Sequence, residues 1–328
     1  MELVPRPIWA IDLSDSVQRP VAATESPVFW FRVGNTFGFL ELSGNLRLRD
    51  RVLYDVTLSD SGFINYSSVP SNLVLLNTIG DFVRSYPYSG YPVLDPPGNQ
   101  IFVLNSESTG LLKVSRETEK VWRAEFASLI TSLDVSDKFA VLGLLSGELK
   151  LFNSQGDQIY ETEVTGSRIP VVYGCALKPG TDEFAAVAGI DPQKLLVVKR
   201  DSARAAQIDA VELASSFRRQ VFIRYSNNGE LIYFESDSGI SVFEVKTRRI
   251  INLPVAGTFL GMGESPGEGI ISLLSEVGNR KEIRLYTPGG ALKYREAVDC
   301  RNISVRHVQG HVILGCDNHV ARIDLVEE

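Results

Sequence analysis

Residues 130–164 read ITSLDVSDKFAVLGLLSGELKLFNSQGDQIYETEV, and this stretch contains four short segments of β-strand character separated by turn residues. The first and third segments alternate apolar and polar side chains, the second is continuously apolar, and the fourth is mostly polar. Alternation indicates a half-buried strand, whereas an unbroken apolar run is typical of a strand buried on both faces. The four segments are Ile130–Val135, Phe139–Leu145, Glu148–Asn153 and Gln158–Val164. The stretch therefore predicts one antiparallel sheet of four strands with a solvated outer edge.

The same order of segments recurs along the chain. Eight turn signals, such as Asp95-Pro96-Pro97-Gly98, lie about 35 to 50 residues apart, with β-rich runs on either side. The predicted repeats are residues 20–52, 53–88, 89–126, 127–166, 167–214, 215–253, 254–298 and 299–326. A period in this range with four strands per repeat is the mark of a β-propeller. We predict an all-β, eight-bladed propeller in a single domain over residues 1–328. The alternative is seven blades. It applies if the first repeat, whose inner strand at Val21–Ser26 has weak strand character, does not form a blade of the ring.

The two ends of the chain are predicted to meet in one blade. The last repeat ends after its third strand, whereas Pro7–Leu13 has strand character and belongs to no N-terminal repeat. We therefore expect this N-terminal strand to complete the C-terminal blade as its outer edge, because closure pairs strand edges that would otherwise be exposed.

One stretch of the sequence tolerates a helix. Ala203–Phe217 is rich in alanine and falls in the longest repeat, so we expect any short helix here to be an insertion between blades.

The segment Lys113–Trp122 carries the clearest family signal. It resembles the quinoprotein repeat, in which a small loop precedes an apolar residue and a tryptophan that packs between blades. Glu119 stands where that family usually has glycine, Trp122 holds the tryptophan position, and Tyr160 and Tyr294 hold the equivalent place in other blades. The repeats thus resemble the WD40-like and quinoprotein-like (PQQ-type) propeller superfamily. The Trp-Asp signature of true WD40 repeats is absent from the sequence, and Gly-His occurs once, at Gly310-His311, and does not recur with the repeat. In form, the chain is similar to bacterial eight-bladed scaffold propellers, such as the outer-membrane assembly lipoprotein, and this resemblance implies protein binding.

Composition is that of an ordinary soluble globular protein, with 44% hydrophobic residues and 22% charged residues. A net charge of −7 argues against a duplex nucleic-acid binder, which needs a basic face. Met1–Ala10 contains two prolines and has no apolar core of a signal peptide, and no run is long enough to span a bilayer. We therefore expect a soluble chain, and its location stays open between the cytoplasm and, if a leader was removed, the periplasm.

Three cysteines allow at most one disulfide. Cys300 and Cys316 fall in the same repeat, so a bond between them stays open. Buried thiols acting as small hydrophobic groups are the favoured interpretation for these two and for Cys175.

The sequence predicts no catalytic, cofactor or metal site. The histidines cluster with one thiol at His307, His311, Cys316 and His319. Turns separate them on the predicted strands, so their spacing does not suit tetrahedral zinc. No nucleophile elbow occurs, and the chain lacks the adjacent cysteines and stacked tryptophans of quinone-dependent dehydrogenases. Asp95 and Asp134 are interpreted as carboxylates that stabilise turns.

Two surface features remain as candidates for contact with a partner. Arg47, Arg49 and Arg51 alternate along a predicted fourth strand, which places them on one face at the solvated outer edge. Tyr86, Tyr88 and Tyr91 form an aromatic loop between the second and third repeats. Tyrosine combines an apolar body with a polar tip and is enriched at interfaces, so this loop is the candidate partner contact, with packing between blades as the alternative.

The leading hypothesis is a non-enzymatic, monomeric scaffold without cofactors that binds a protein or peptide partner across one flat face or the mouth of the central channel. The alternative is a propeller that binds or hydrolyses a small molecule or sugar with a metal at the central channel.

Overall fold

The computed structural model describes residues 3–14, 27–68, 70–116, 121–201, 204–265 and 269–327. Within these ranges the chain forms 31 strands and no α-helix. The strands form eight antiparallel sheets, here called blades 1 to 8 in chain order.

The first four blades contain β2 to β16. Blade 1 comprises β2 (Val28–Val33), β3 (Thr36–Glu41) and β4 (Leu46–Arg51); blade 2 comprises β5 (Asp55–Ser59), β6 (Gly62–Tyr66), β7 (Leu73–Asn77) and β8 (Phe82–Tyr86); blade 3 comprises β9 (Tyr91–Leu94), β10 (Gln100–Leu104), β11 (Gly110–Ser115) and β12 (Val121–Glu125); blade 4 comprises β13 (Ile130–Val135), β14 (Phe139–Leu144), β15 (Glu148–Asn153) and β16 (Gln158–Glu163).

The remaining blades contain β17 to β31 together with β1. Blade 5 comprises β17 (Ile169–Leu177), β18 (Phe184–Ile190), β19 (Gln193–Asp201) and β20 (Arg204–Leu213); blade 6 comprises β21 (Ile223–Tyr225), β22 (Leu231–Ser236), β23 (Gly239–Glu244) and β24 (Ile250–Pro254); blade 7 comprises β25 (Thr258–Glu264), β26 (Ile271–Val277), β27 (Arg280–Tyr286) and β28 (Leu292–Val298); blade 8 comprises β29 (Ile303–Val308), β30 (His311–Cys316), β31 (His319–Glu327) and β1 (Leu3–Asp12).

The predicted fold class is confirmed: the protein is an all-β, eight-bladed propeller of antiparallel blades, and within the described residues seven blades have four strands and blade 1 has three. The first repeat is a blade and not decoration, because β2, β3 and β4 pair in register from Val33↔Thr36 onward. Its predicted inner strand, Val21–Ser26, lies outside the described residues.

The N-terminal strand completes the last blade, as predicted. Leu3 pairs with Glu327 and Asp12 with His319, so β1 is the outermost strand of blade 8. The strand begins at Leu3, earlier than the predicted Pro7, and has an irregularity between Pro7 and Trp9. Two prolines are tolerated here because an edge strand leaves half of its N–H groups unpaired.

The expectation of a helix within Ala203–Phe217 is wrong. Residues 204–213 form β20, the outer strand of blade 5, and pair with β19. Ile208, Ala210 and Glu212 are exposed, whereas the intervening side chains are half-buried. This period of two decides the structure, because tertiary pairing overrides the weak helical preference of alanine.

The chain divides into two compact units, the first formed by residues 1–68, 74–83 and 251–328 and the second by residues 69–73 and 84–250. The core of the first unit includes Phe37 and Phe63, whose rings meet edge to face at 5.0 Å. In the second unit, Trp122 of blade 3 stacks on Phe152 of blade 4 at 5.5 Å, which confirms its predicted packing between blades. Gly156 has a φ of +91°, and a Cβ there would lie 2.5 Å from Trp122 Cγ.

Candidate interaction surface

Two of the three cysteines form a disulfide, and the third is a free thiol. Cys300 and Cys316 form a disulfide with a Cα–Cα distance of 5.6 Å, so the favoured interpretation is wrong for this pair and the alternative left open is correct. Cys175 is a buried thiol, as expected, and burial raises its pKa to about 12. A thiol with this pKa carries almost no nucleophilic thiolate at neutral pH.

The histidines are not brought together. His311 Nδ1 lies 2.8 Å from Asp324 Oδ1, whereas His319 Nε2 lies 4.0 Å from an oxygen of Asp12. Because Cys316 is held in the disulfide, it cannot act as a thiolate ligand. Across the ranges that the structure describes, no group of three His, Cys, Asp or Glu side chains could hold a metal ion.

One serine and one histidine stand at hydrogen-bond distance. Ser272 Oγ lies 2.7 Å from His307 Nε2, the spacing of a nucleophile and its base. Ser272 is completely buried, however, and the His307 ring packs against Gly263. A substrate cannot reach this buried hydroxyl, so we interpret the contact as one that joins blades 7 and 8.

The two aspartates interpreted as turn carboxylates have different roles. Asp95 does stabilise its turn, since its Oδ1 accepts a hydrogen bond from the Gln100 N–H at 2.8 Å. Asp134 instead joins two blades, because its Oδ2 accepts a hydrogen bond at 2.7 Å from the Leu177 N–H on β17. Burial raises the pKa of both carboxyl groups. The alternation of apolar and polar residues in the sequence places Asp134 on β13. It does not predict which group of the neighbouring blade the Asp134 side chain contacts.

The arginine row is not a uniformly solvated edge. Arg47 is 2% exposed and pairs with the equally buried Glu41, so the prediction is wrong for this residue. Glu41 also accepts a hydrogen bond from Asn45 Nδ2 at 2.9 Å. Partners of this kind are what allow a charge to be buried. Arg49 is half-buried, and Arg51 is exposed as predicted.

The tyrosine loop has limited exposed area. Tyr86 is 4% exposed, lies beneath the Arg84 guanidinium at 5.7 Å, and has a pKa raised by burial. Tyr88 and Tyr91 are half-buried, and Tyr91 pairs with Leu104 within blade 3. A partner contact through this loop stays a prediction, and any such contact would use Tyr88 and Tyr91 more than Tyr86.

A more exposed apolar feature lies between β4 and β5, where Leu53 is 70% exposed and Tyr54 is 58% exposed. We call these two residues the Leu53–Tyr54 pair. Their positions coincide with a repeat boundary, where side chains follow no alternation. The only signal in the sequence is the apolar run Val52-Leu53-Tyr54 between the charged residues Arg51 and Asp55.

Hydrogen bonds hold the backbone of the Leu53–Tyr54 pair at both residues. The Leu53 N–H donates to Asn65 Oδ1 at 3.0 Å, and Asn65 Nδ2 donates to the Arg51 carbonyl at 2.8 Å. The Tyr54 N–H donates to the Tyr66 carbonyl at 3.0 Å. The connection is therefore fixed to β6, and it presents two apolar side chains from an ordered backbone.

Polar groups lie beside this apolar pair, next to Tyr54. The Tyr54 and Tyr66 rings are 6.4 Å apart, and the Tyr66 hydroxyl donates to Asp55 Oδ2 at 3.3 Å. Burial, followed by the nearby Asp55 charge, raises the Tyr66 pKa well above its usual range. Asp55 Oδ1 in turn meets Arg32 Nη1 at 2.7 Å in a partly exposed ion pair. An apolar centre with a polar, solvent-accessible rim is the usual composition of a protein interface.

A family model described as a beta-propeller protein matches residues 1–328. The chain belongs to this β-propeller family. This β-propeller is 21% identical over 327 residues to a protein of Treponema pallidum (strain Nichols), described as an uncharacterized protein, and the match covers 97% of this chain and 86% of that protein.

Three solved structures are similar to this β-propeller in fold. BamB from Moraxella catarrhalis matches with a TM-score of 0.65 at 11% identity, over 98% of this chain and 100% of that chain. The dihydro-heme d1 dehydrogenase NirN matches with a TM-score of 0.57 at 12% identity, over 75% of this chain and 56% of that one. Hydrazine synthase of Kuenenia stuttgartiensis matches with a TM-score of 0.54 at 13% identity, over 83% and 94% of the two chains. At these identities the likeness shows the fold alone, since one fold hosts many functions.

Among the described residues of this β-propeller, no helix has the length and apolar character needed to span a membrane.

Proposed function

We propose that this β-propeller is a non-enzymatic scaffold and that it binds a partner protein through a surface centred on the Leu53–Tyr54 pair. The observation that carries the proposal is the exposure of these two large side chains, 70% and 58%, on a backbone fixed by hydrogen bonds. The partner that fits is a protein with an apolar recess and polar groups positioned to meet Arg32 and Asp55 at the rim.

Energetics favour this assignment. Full burial of a large apolar side chain contributes about 1.5 to 3 kcal/mol, so the pair contributes several kcal/mol when a partner covers it. Because the connection is already ordered, little conformational entropy is lost on binding. Tyrosine is also among the residues that most often dominate interface energies.

The proposal is tested by affinity purification of the tagged protein from its native host, followed by quantitative mass spectrometry. Leu53→Ser/Tyr54→Ser is compared with the wild type and with Phe82→Ser, which removes another side chain that is 67% exposed. We expect a specific partner with the wild type and with Phe82→Ser, and an enrichment at least about 10-fold lower with the double variant, as loss of 1.4 kcal/mol or more requires. Equal recovery with all three proteins, or no specific partner with the wild type, would contradict the proposal.

We also infer that the protein works in an oxidising compartment outside the cytoplasm. The Cys300–Cys316 disulfide supports this, because such bonds persist in oxidising compartments and are rare in reducing ones. Alkylation of thiols at the moment of cell lysis under denaturing conditions tests it: only Cys175 should be modified. Modification of all three cysteines would place the protein in a reducing environment.

A further inference from the structure

A surface cleft of about 570 Å³ lies in the second unit, between blades 5 and 6. One wall contains the turn between β17 and β18 and the end of β19, and the other contains the turns that follow β21 and β23. Its volume is within the range of small-molecule sites, roughly 300 to 1,000 Å³. The charged side chains that line it are Lys178, Glu183, Lys199, Glu230, Glu244 and Lys246.

Two of the ammonium groups retain binding capacity. Lys178 is already engaged, since its Nζ lies 2.7 Å from Glu183 Oε2. Lys199 Nζ is 3.9 Å from Asp209, beyond hydrogen-bond distance, and Asp209 has a closer cation in Arg248 at 3.1 Å. Lys246 is exposed, and the described residues give its side chain no ion pair.

Two of the carboxylates retain binding capacity as well. Glu230 Oε2 accepts a hydrogen bond from the Asn228 amide at 2.9 Å, and Glu244 Oε2 accepts one from the Thr247 hydroxyl at 2.5 Å. Both donors are neutral, and neither carboxylate has a cationic partner within the described ranges. An ionised carboxylate can accept several hydrogen bonds, so each keeps free acceptor positions.

We propose that this cleft binds a zwitterionic ligand, an amino acid or a short peptide. The ligand carboxylate meets Lys199 and Lys246, and the ligand ammonium group meets Glu230 and Glu244. The charged groups that retain binding capacity are balanced, with two of each sign, so a purely anionic or purely cationic ligand would use half of the cleft and be repelled by the other half. Leu231 and Val245 add a small apolar surface for a ligand side chain.

Isothermal titration calorimetry with the dipeptide alanyl-alanine, its N-acetyl form and its C-terminal amide tests the ligand class. We expect saturable binding of the free dipeptide and at least about 10-fold weaker binding of each capped form, because each cap removes one charge-assisted contact. Absence of binding in the millimolar range, or equal affinity for the three compounds, would overturn the proposal.

Variants assign the contacts. Lys246→Ala and Glu230→Gln should each weaken binding of the free dipeptide about 10-fold. Lys138→Ala and Glu163→Gln change exposed charges on blade 4 and should leave binding unchanged. Lys246→Ala should also have no effect on binding of the C-terminal amide, which lacks the charge that Lys246 meets. Equal losses in cleft and control variants, or equal losses for both ligands, would overturn the assignment.

Discussion

Opening the Cys300–Cys316 disulfide is expected to lower the free energy of unfolding by about 3 kcal/mol. The two cysteines are 16 residues apart and enclose the hairpin of β29 and β30. In the folded protein the backbone hydrogen bonds between β29 and β30 keep the two cysteines close together whether or not the disulfide is formed. The bond therefore acts mainly by restricting the unfolded chain, and a loop of about 15 residues corresponds to about 3 kcal/mol.

Urea unfolding at equilibrium measures this effect, since the free energy falls linearly with denaturant. Reduced wild type and the Cys300→Ala/Cys316→Ala variant should show the same lowered stability, and a reductant should not change the variant. A loss in the wild type below about 1 kcal/mol, or an equal effect of reductant on the variant, would refute the reasoning.

Three further changes probe the packing and the charges. Gly156→Ala should lower the free energy of unfolding by about 1 to 3 kcal/mol, because its Cβ would overlap Trp122; urea unfolding measures this. Glu41→Ala should cost about 3 to 5 kcal/mol in the same assay, because it leaves the buried Arg47 without its carboxylate. Asp324 has a lowered pKa, so it contributes stability above the unfolded pKa of about 3.9, and that contribution is lost as pH falls through the folded pKa. Asp324→Asn should flatten this part of the stability profile, measured as thermal midpoints between neutral and acidic pH.

Controls separate these causes from general damage. Gly180→Ala shares a positive φ but meets open space, so it should cost less than the Gly156 variant; equal losses would contradict the overlap with Trp122. Glu41→Leu/Arg47→Met removes both charges and should recover most of the lost stability, and failure to do so would contradict the pairing argument. The hydrogen bond from Arg322 is the largest cause of the low Asp324 pKa, so Arg322→Gln should raise that pKa. An unchanged pKa would contradict this role of Arg322.

The blades were predictable because their determinants are local. The alternation over Ile130–Val135 and the Gly156 turn act within a few residues, and each marks a strand or its end. Closure by β1 was also predictable, since the last repeat lacks a fourth strand. Pairing with β19 made residues 204–213 a strand against their local preference.

The surfaces and the disulfide were not predictable in the same way. Alternation places Arg47 on a face but does not predict that this one side chain is buried against Glu41. The bond between Cys300 and Cys316 requires a Cα–Cα distance that spacing alone does not supply. Leu53 and Tyr54 lie in a connection without periodicity, so their exposure depends on the hydrogen bonds to Asn65 and Tyr66.

Pairing of β1 with β31 sets an order of events during translation. Among the described strands of the propeller β1 is made before all others, whereas its partner β31 is made after all others, so β1 must wait unpaired. An unpaired strand can join another nascent chain, and Pro5 and Pro7 reduce this risk because neither has an N–H group to donate. The irregularity at Pro7 and Trp9 disturbs any regular ladder further. Blade 8 is therefore the final one to form, and a chain truncated before β31 would leave β1 without its partner strand.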